Sequence, residues 1–125
     1  MTHARQRIGR IAENLAERRL RARGWRILER NARTRLGELD IVALDRGCLV
    51  FVEVKAGRRG SYYGPERPVL AVGPRKQSRL RRLAGAWMAA NRSRAGFREI
   101  RFDVIGVSFG LPDEAPGIEH LENAF

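Results

Sequence analysis

One cysteine in 125 residues excludes an internal disulfide and a cysteine-rich zinc cluster, so Cys48 leaves the fold to be held by packing. Only two histidines accompany it, His3 and His120, both close to a terminus where fraying is expected, and with Cys48 in a buried strand a His- or Cys-centred mechanism is not expected. Long apolar runs are missing as well. The longest, residues 48–52, is far too short to span a bilayer, and residues 1–10 are basic and broken rather than a signal-peptide core. The expectation is a cytoplasmic chain with no membrane partner. Lysine is almost absent, occurring only at Lys55 and Lys76, so arginine supplies nearly all of a net charge of +11. A GC-rich genome alone would favour arginine, but such a surplus also concentrates polyanions, and nucleic acid is the expected partner.

The length fits one domain with a single hydrophobic core. Asp113, Glu114, Glu119 and Glu122 fall in a final segment without lysine or arginine. We therefore expect a folded domain over residues 1–110 and an acidic, loosely ordered tail over 111–125. Helical spacing of Ile8, Ile11, Ala12, Leu15 and Ala22 predicts a helix over 3–23, stopped by Gly24. Strands are expected over 25–31, 38–44 and 48–55, with a polar turn over 32–37 and a tight turn at Arg46 and Gly47. Residues 56–73 read as a loop rich in glycine and proline. Pro74 then opens a second helix to about 91, with Leu80, Leu83, Ala84 and Trp87 on its buried face, and a last strand covers 98–109. This order, αβββαβ, predicts an α/β fold in which a mixed sheet is flanked by helices.

Acidic residues inside apolar strands are the feature that packing alone does not explain. Strand alternation puts Glu38 and Asp40 on one face with Val42 and Leu44, and Leu39, Ile41 and Ala43 on the other. In the next strand Glu53 and Lys55 share a face with Phe51, and a tight hairpin about residues 46 and 47 would set Asp40 nearly opposite Glu53. Two facing carboxylates repel unless a cation lies between them. With a backbone carbonyl they form an all-oxygen site suited to Mg²⁺ or Mn²⁺, while Lys55 would orient water or offset charge during phosphodiester hydrolysis. Glu13, at the border of the first helix's apolar face, is a further candidate ligand, and Glu38 an acid behind the site. The plainer reading of Asp40, Glu53 and Lys55 is a cross-strand salt-bridge network.

Lys76 and Arg79, one helical turn apart, are candidate phosphate contacts, although a charged helix face is commonly just solvated. Tyr63 and its neighbour Tyr62 could stack on an unpaired base, or cover an edge of the core. Trp25 and Trp87 read as core, and Asp103 as a structural acid held by an arginine.

Asp40 followed after twelve residues by Glu53-Val54-Lys55 resembles the D…ExK signature of restriction-endonuclease-like nucleases. The wider pattern is similar to the YraN-type family of small bacterial proteins, themselves similar to archaeal Holliday junction resolvases. The resemblance runs from Gly9 and Glu13 through Gly24, Asn31, Gly37-Glu38-Leu39-Asp40, Phe51 to Lys55, Tyr63-Gly64, Lys76, Arg79 and Leu80 to Arg101-Phe102-Asp103-Val104. It departs at Ala56-Gly57, where relatives tend to carry a polar residue and an arginine. The resemblance implies a restriction-endonuclease-like core with Glu13, Asp40, Glu53 and Lys55 in metal-binding and catalytic roles. The expected activity is metal-dependent hydrolysis of DNA, including branched or structured DNA. The alternatives are a noncatalytic nucleic-acid-binding module on the same fold and, on charge alone, a protein-interaction subunit. Analogy with resolvases that make paired cuts adds the expectation of a homodimer.

Overall fold

A computed structural model describes residues 3–59, 67–92 and 96–125. The elements are α1 (His3–Ala22), β1 (Arg26–Thr34), β2 (Gly37–Asp45), β3 (Cys48–Arg58), a 3₁₀ turn (Pro68–Leu70), α2 (Pro74–Ala90), β4 (Glu99–Phe109) and β5 (Gly117–Leu121). The five strands lie in sequence order in one sheet, and only the β3–β4 pair is parallel. A parallel pair needs a crossover, and the chain makes it through α2. The result is the expected α/β arrangement of a restriction-endonuclease-like core, a mixed sheet with a helix on each face.

Alternation in the central strands builds the two layers. Ile41, Ala43, Val50 and Val52 pack beneath α1, whereas Val42, Leu49 and Phe51 pack beneath α2. β3, apolar on both faces, is central as its composition requires. Leu39 departs from strict alternation: it joins Ala32 in the core on the α2 side, where the outer end of the β1–β2 hairpin meets the helix. The face of α1 differs from the expected one. Ala12, Ala16 and Leu20 are buried, while Ile11 is 43% exposed. Two alanines four residues apart let the helix backbone approach the sheet, and this close row displaces the bulkier isoleucine from the contact. The face of α2 agrees with its periodicity, with Leu80, Leu83, Ala84 and Trp87 all buried.

β1 runs on to Thr34, so the expected polar turn contracts to Arg35 and Leu36. Residues 56–58, expected in a loop, extend β3, and 68–70 form the 3₁₀ turn. That turn sits hard against the sheet, because a Cβ at Gly106 would lie 2.6 Å from the Val69 nitrogen. Only glycine permits the approach.

The expected loose tail is corrected. Residues 117–121 form β5, antiparallel to β4, and Phe125 stacks on Phe102 with ring centroids 5.1 Å apart. Its acids meet arginines of the body: Glu114 is 3.0 Å from Arg59, Glu122 is 2.9 Å from Arg23, and Glu119 pairs with Arg67. His120 is not frayed either. Its Nε2 lies 2.7 Å from Asp103 Oδ2 and its Nδ1 lies 2.8 Å from Arg23 Nη1. Arginine only donates, so Nδ1 is the acceptor and Nε2–H donates to Asp103. Asp103 also accepts from Arg101 Nε at 2.8 Å and Nη2 at 3.0 Å and from the Asn123 N–H at 3.0 Å. It is the structural acid expected, with histidine added to the arginine. Among the described residues, no helix is long and apolar enough to cross a membrane.

Candidate active site

The hairpin that brings the acids together is set by its turn. Arg46 and Gly47 both take positive φ, 51° and 83°, as a two-residue turn matched to strand twist requires. Asp45 therefore pairs with Cys48, and the ladder continues without slip to Ile41 opposite Val52. The next position carries Asp40 and Glu53. There the ladder gives way to a side chain, with the Val54 N–H donating to Asp40 Oδ2 at 2.8 Å. Lys55 Nζ lies 3.3 Å from Glu53 Oε2.

α2 closes the site from above the sheet. A cavity of about 270 Å³ is lined by Glu38, Asp40, Glu53, Lys55, Lys76 and Arg79, with Leu80 and Leu83 as its apolar wall. Gly37 holds the hairpin against the helix at φ 147°, where a Cβ would stand 3.0 Å from Arg79 Nη2 and 3.1 Å from Leu83. A side chain here would push Arg79 away from the acids.

The charges in this cavity are not independent. Burial, then the carboxylate of Glu53, push Asp40 up to about 8, against the opposing pull of the Val54 N–H. For Lys55, burial pulls downward, but its hydrogen bond with Lys76 and the charges of Glu53 and Asp40 outweigh this and hold it above the ordinary lysine value. Lys76 is pushed below that value by the hydrogen bond and charge of Lys55. Acid faces acid and ammonium faces ammonium. Such a site is relieved by a cation between the carboxylates and an anion between the lysines.

Glu13 is not among the residues that line the cavity. It stands on α1, whose layer is on the other face of the sheet, with its Oε1 3.2 Å from Arg30 Nη2. Asn31 connects it to the site. With its amide nitrogen turned toward the acids, the orientation its neighbours require, it donates to Glu13 Oε1 at 3.2 Å and to Glu38 Oε1 at 3.1 Å. Among the described residues, no three His, Cys, Asp or Glu side chains converge on one point. Tyr63 lies outside the described residues. The linking role of Asn31 had no signal in the sequence beyond its place in the family pattern, because it depends on a positive φ of 50° in the middle of a strand. Asparagine tolerates that conformation better than most residues. Chemically, the cavity offers two hard oxygen donors beside three cationic groups, a combination suited to a divalent ion and a phosphate together.

The relatives agree with this pattern in family only. A model of the "Uncharacterised protein family UPF0102" matches residues 12–107. A UPF0102 protein of Trichlorobacter lovleyi is 49% identical over 121 residues, covering 96% of this chain and 91% of its own. Another, from Pelotomaculum thermopropionicum, is 45% identical over 125 residues and covers all of both chains. A third, from Anaeromyxobacter dehalogenans, is 45% identical over 122 residues, 97% of this chain and 85% of its own. The chain belongs to the UPF0102 family.

Proposed function

We propose that this protein is a divalent-metal-dependent nuclease that hydrolyses phosphodiester bonds in DNA, branched or otherwise structured DNA included. The observation that carries the reading is the enclosure of Asp40 and Glu53 with Lys55, Lys76 and Arg79 in one cavity. A salt-bridge network would pair acids with bases and leave no mutual strain, whereas here Asp40 is raised by its acidic neighbour. The donor set fits Mg²⁺ or Mn²⁺, since magnesium takes one or two carboxylates and fills its shell with water and substrate oxygens. Asp40 and Glu53 would hold the ion, with Glu38 and Asn31 linking Glu13 behind them. When bound, the ion supplies charge neutralisation at the phosphate and a more acidic water.

The chain's own groups do the rest. The Val54 N–H fixes one oxygen of Asp40 and leaves the other for the cavity. Lys55, anchored on Glu53, holds its ammonium where charge develops on the phosphate oxygens. Lys76 and Arg79 grip neighbouring phosphate oxygens, and the anion separates Lys76 from Lys55.

The test is a cleavage assay on linear, flapped, single-stranded and four-way DNA with Mg²⁺ or Mn²⁺. Cleavage is expected with metal, and its loss in Asp40→Asn, Glu53→Gln and Lys55→Ala, with binding retained by the first two. Salt-sensitive binding without cleavage of any substrate, unchanged by chelator, would replace the reading with a noncatalytic binding module.

A further inference from the structure

A second cavity, of about 360 Å³, lies farther along α2 from the acids. One wall is Arg33, Thr34 and Arg35, and the other is Ala86, Trp87 and Ala90. The wall carrying the arginines is rigid. Thr34 Oγ1 donates to the Gly37 carbonyl at 2.8 Å and accepts from the Leu36 and Gly37 N–H groups, each at 3.1 Å, so the turn is braced from within. Arg33 is 90% exposed at its side chain, with Nε 3.9 Å from Glu38, which lines the acidic cavity. The two cavities thus meet at the saddle where Gly37 rests on Arg79 and Leu83. From Arg79 to Ala89 the helix advances about 15 Å, or roughly four stacked nucleotides at ~3.4 Å each.

Charge and shape together select a ligand for this path. Two guanidiniums facing solvent suit backbone phosphates. The opposite wall is made of methyl groups and the edge of a buried tryptophan, which is useful only to a ligand with exposed apolar faces. Bases inside a duplex have none to offer, whereas unpaired bases do. We infer that the substrate presents a single-stranded DNA segment, which runs from the acidic cavity over Gly37 and Arg79 and is held by Arg33 and Arg35 in the second cavity. This rests on the nuclease reading and adds to it the state of the strand and a second binding site.

The experiment measures binding in EDTA by fluorescence anisotropy, using a labelled single-stranded DNA 12-mer and the blunt duplex of the same sequence. The full-length protein is compared with Arg33→Ala/Arg35→Ala and with Arg18→Ala/Arg19→Ala, two exposed arginines on α1. The hairpin variant is expected to lose at least tenfold in affinity for the single strand. Its slope of log affinity against log salt should fall by about 1.4, at ~0.7 per phosphate released. Duplex binding should change no more than in the α1 variant. Equal losses on both DNAs, or equal losses in both variants, overturn the inference. Cleavage is scored separately: if metal-dependent cutting occurs but the hairpin arginines do not affect single-strand binding, the path is wrong and the nuclease stands. The reverse pattern removes the nuclease and leaves the strand site.

Discussion

Replacing Asp103 by alanine tests how firmly β5 is fastened to the body. The carboxylate is fully buried, accepts two bonds from Arg101, one from His120 and one from the Asn123 N–H, and touches three separate parts of the chain. Arg101 keeps only a longer contact to Asp45, at 3.3 Å, if the acid is removed, and His120 and the Asn123 N–H lose their acceptor. Truncating one partner of a buried ionic network costs about 3–5 kcal/mol, because the other charge stays buried and unpaired. That is a large part of the ~5–15 kcal/mol that holds a typical domain together. In a domain of this size the melting temperature should drop by roughly 10–20 °C. Urea titration at pH 7 measures the loss directly, with Asp103→Asn as the milder variant that keeps the shape and one acceptor. Acid provides an internal check. Burial would raise the Asp103 carboxyl, but bonds from His120, Arg101 and Asn123 outweigh it and hold the group below its ordinary 3.8. A carboxylate depressed in the folded state contributes stability above that value and loses it as pH falls through the folded one. The gap between wild type and Asp103→Asn should therefore close in strong acid. A loss under about 1 kcal/mol at pH 7, or a gap unchanged down to pH 2, would refute the reasoning.

Asp40 has the opposite sign. Raised from 3.8 to about 8, it lets the metal-free protein keep its full stability only in acid and lose it as pH rises toward 8. Melting curves in EDTA should find Asp40→Asn more stable than wild type at pH 8.5, with the difference shrinking by pH 5; a less stable variant at pH 8.5 contradicts the placement of Asp40 beside Glu53. Gly106→Ala pushes a methyl group into the Val69 backbone and should cost about 1–3 kcal/mol in urea denaturation, whereas a neutral outcome would mean that the 3₁₀ turn is free to lift. Gly37→Ala meets both a positive φ and the Arg79 guanidinium, so it should lose about 1–3 kcal/mol and weaken DNA binding as well. Lower stability with unchanged affinity would separate Arg79 from the DNA.

The hairpin was legible in the sequence because its information is local. A two-residue turn and strict alternation decide which side chains share a face, and the register from Asp45–Cys48 to Ile41–Val52 is dictated by the turn position alone. The buried face of α2 was equally plain. The α1 face was not, because alanines at 12 and 16 carry little hydrophobic signal and yet set how near the helix comes. The fate of the last fifteen residues was hidden for a different reason. Acidic composition suggests a solvated tail when read in isolation, but Arg23, Arg59 and Arg67 wait on the body to receive those acids, and no window of sequence contains both halves of such a pair. Glu13 illustrates the same limit. Its helical angle placed it at a border, and only the layer in which α1 lies determines that it meets Arg30 and Asn31 before it meets the cavity.

The parallel β3–β4 ladder has a consequence for how the molecule assembles. Cys48 pairs with Glu99, so closing that ladder joins positions about fifty residues apart, while the β2–β3 hairpin closes across two. Local closures precede distant ones on entropic grounds, and rates fall as contacts become more remote in sequence. The nascent structure should thus bring its two carboxylates together well before the crossover docks the basic helix over them. During that interval the repulsion between Asp40 and Glu53 works against the hairpin, and counterions in the folding buffer should speed the early phase more than the late one.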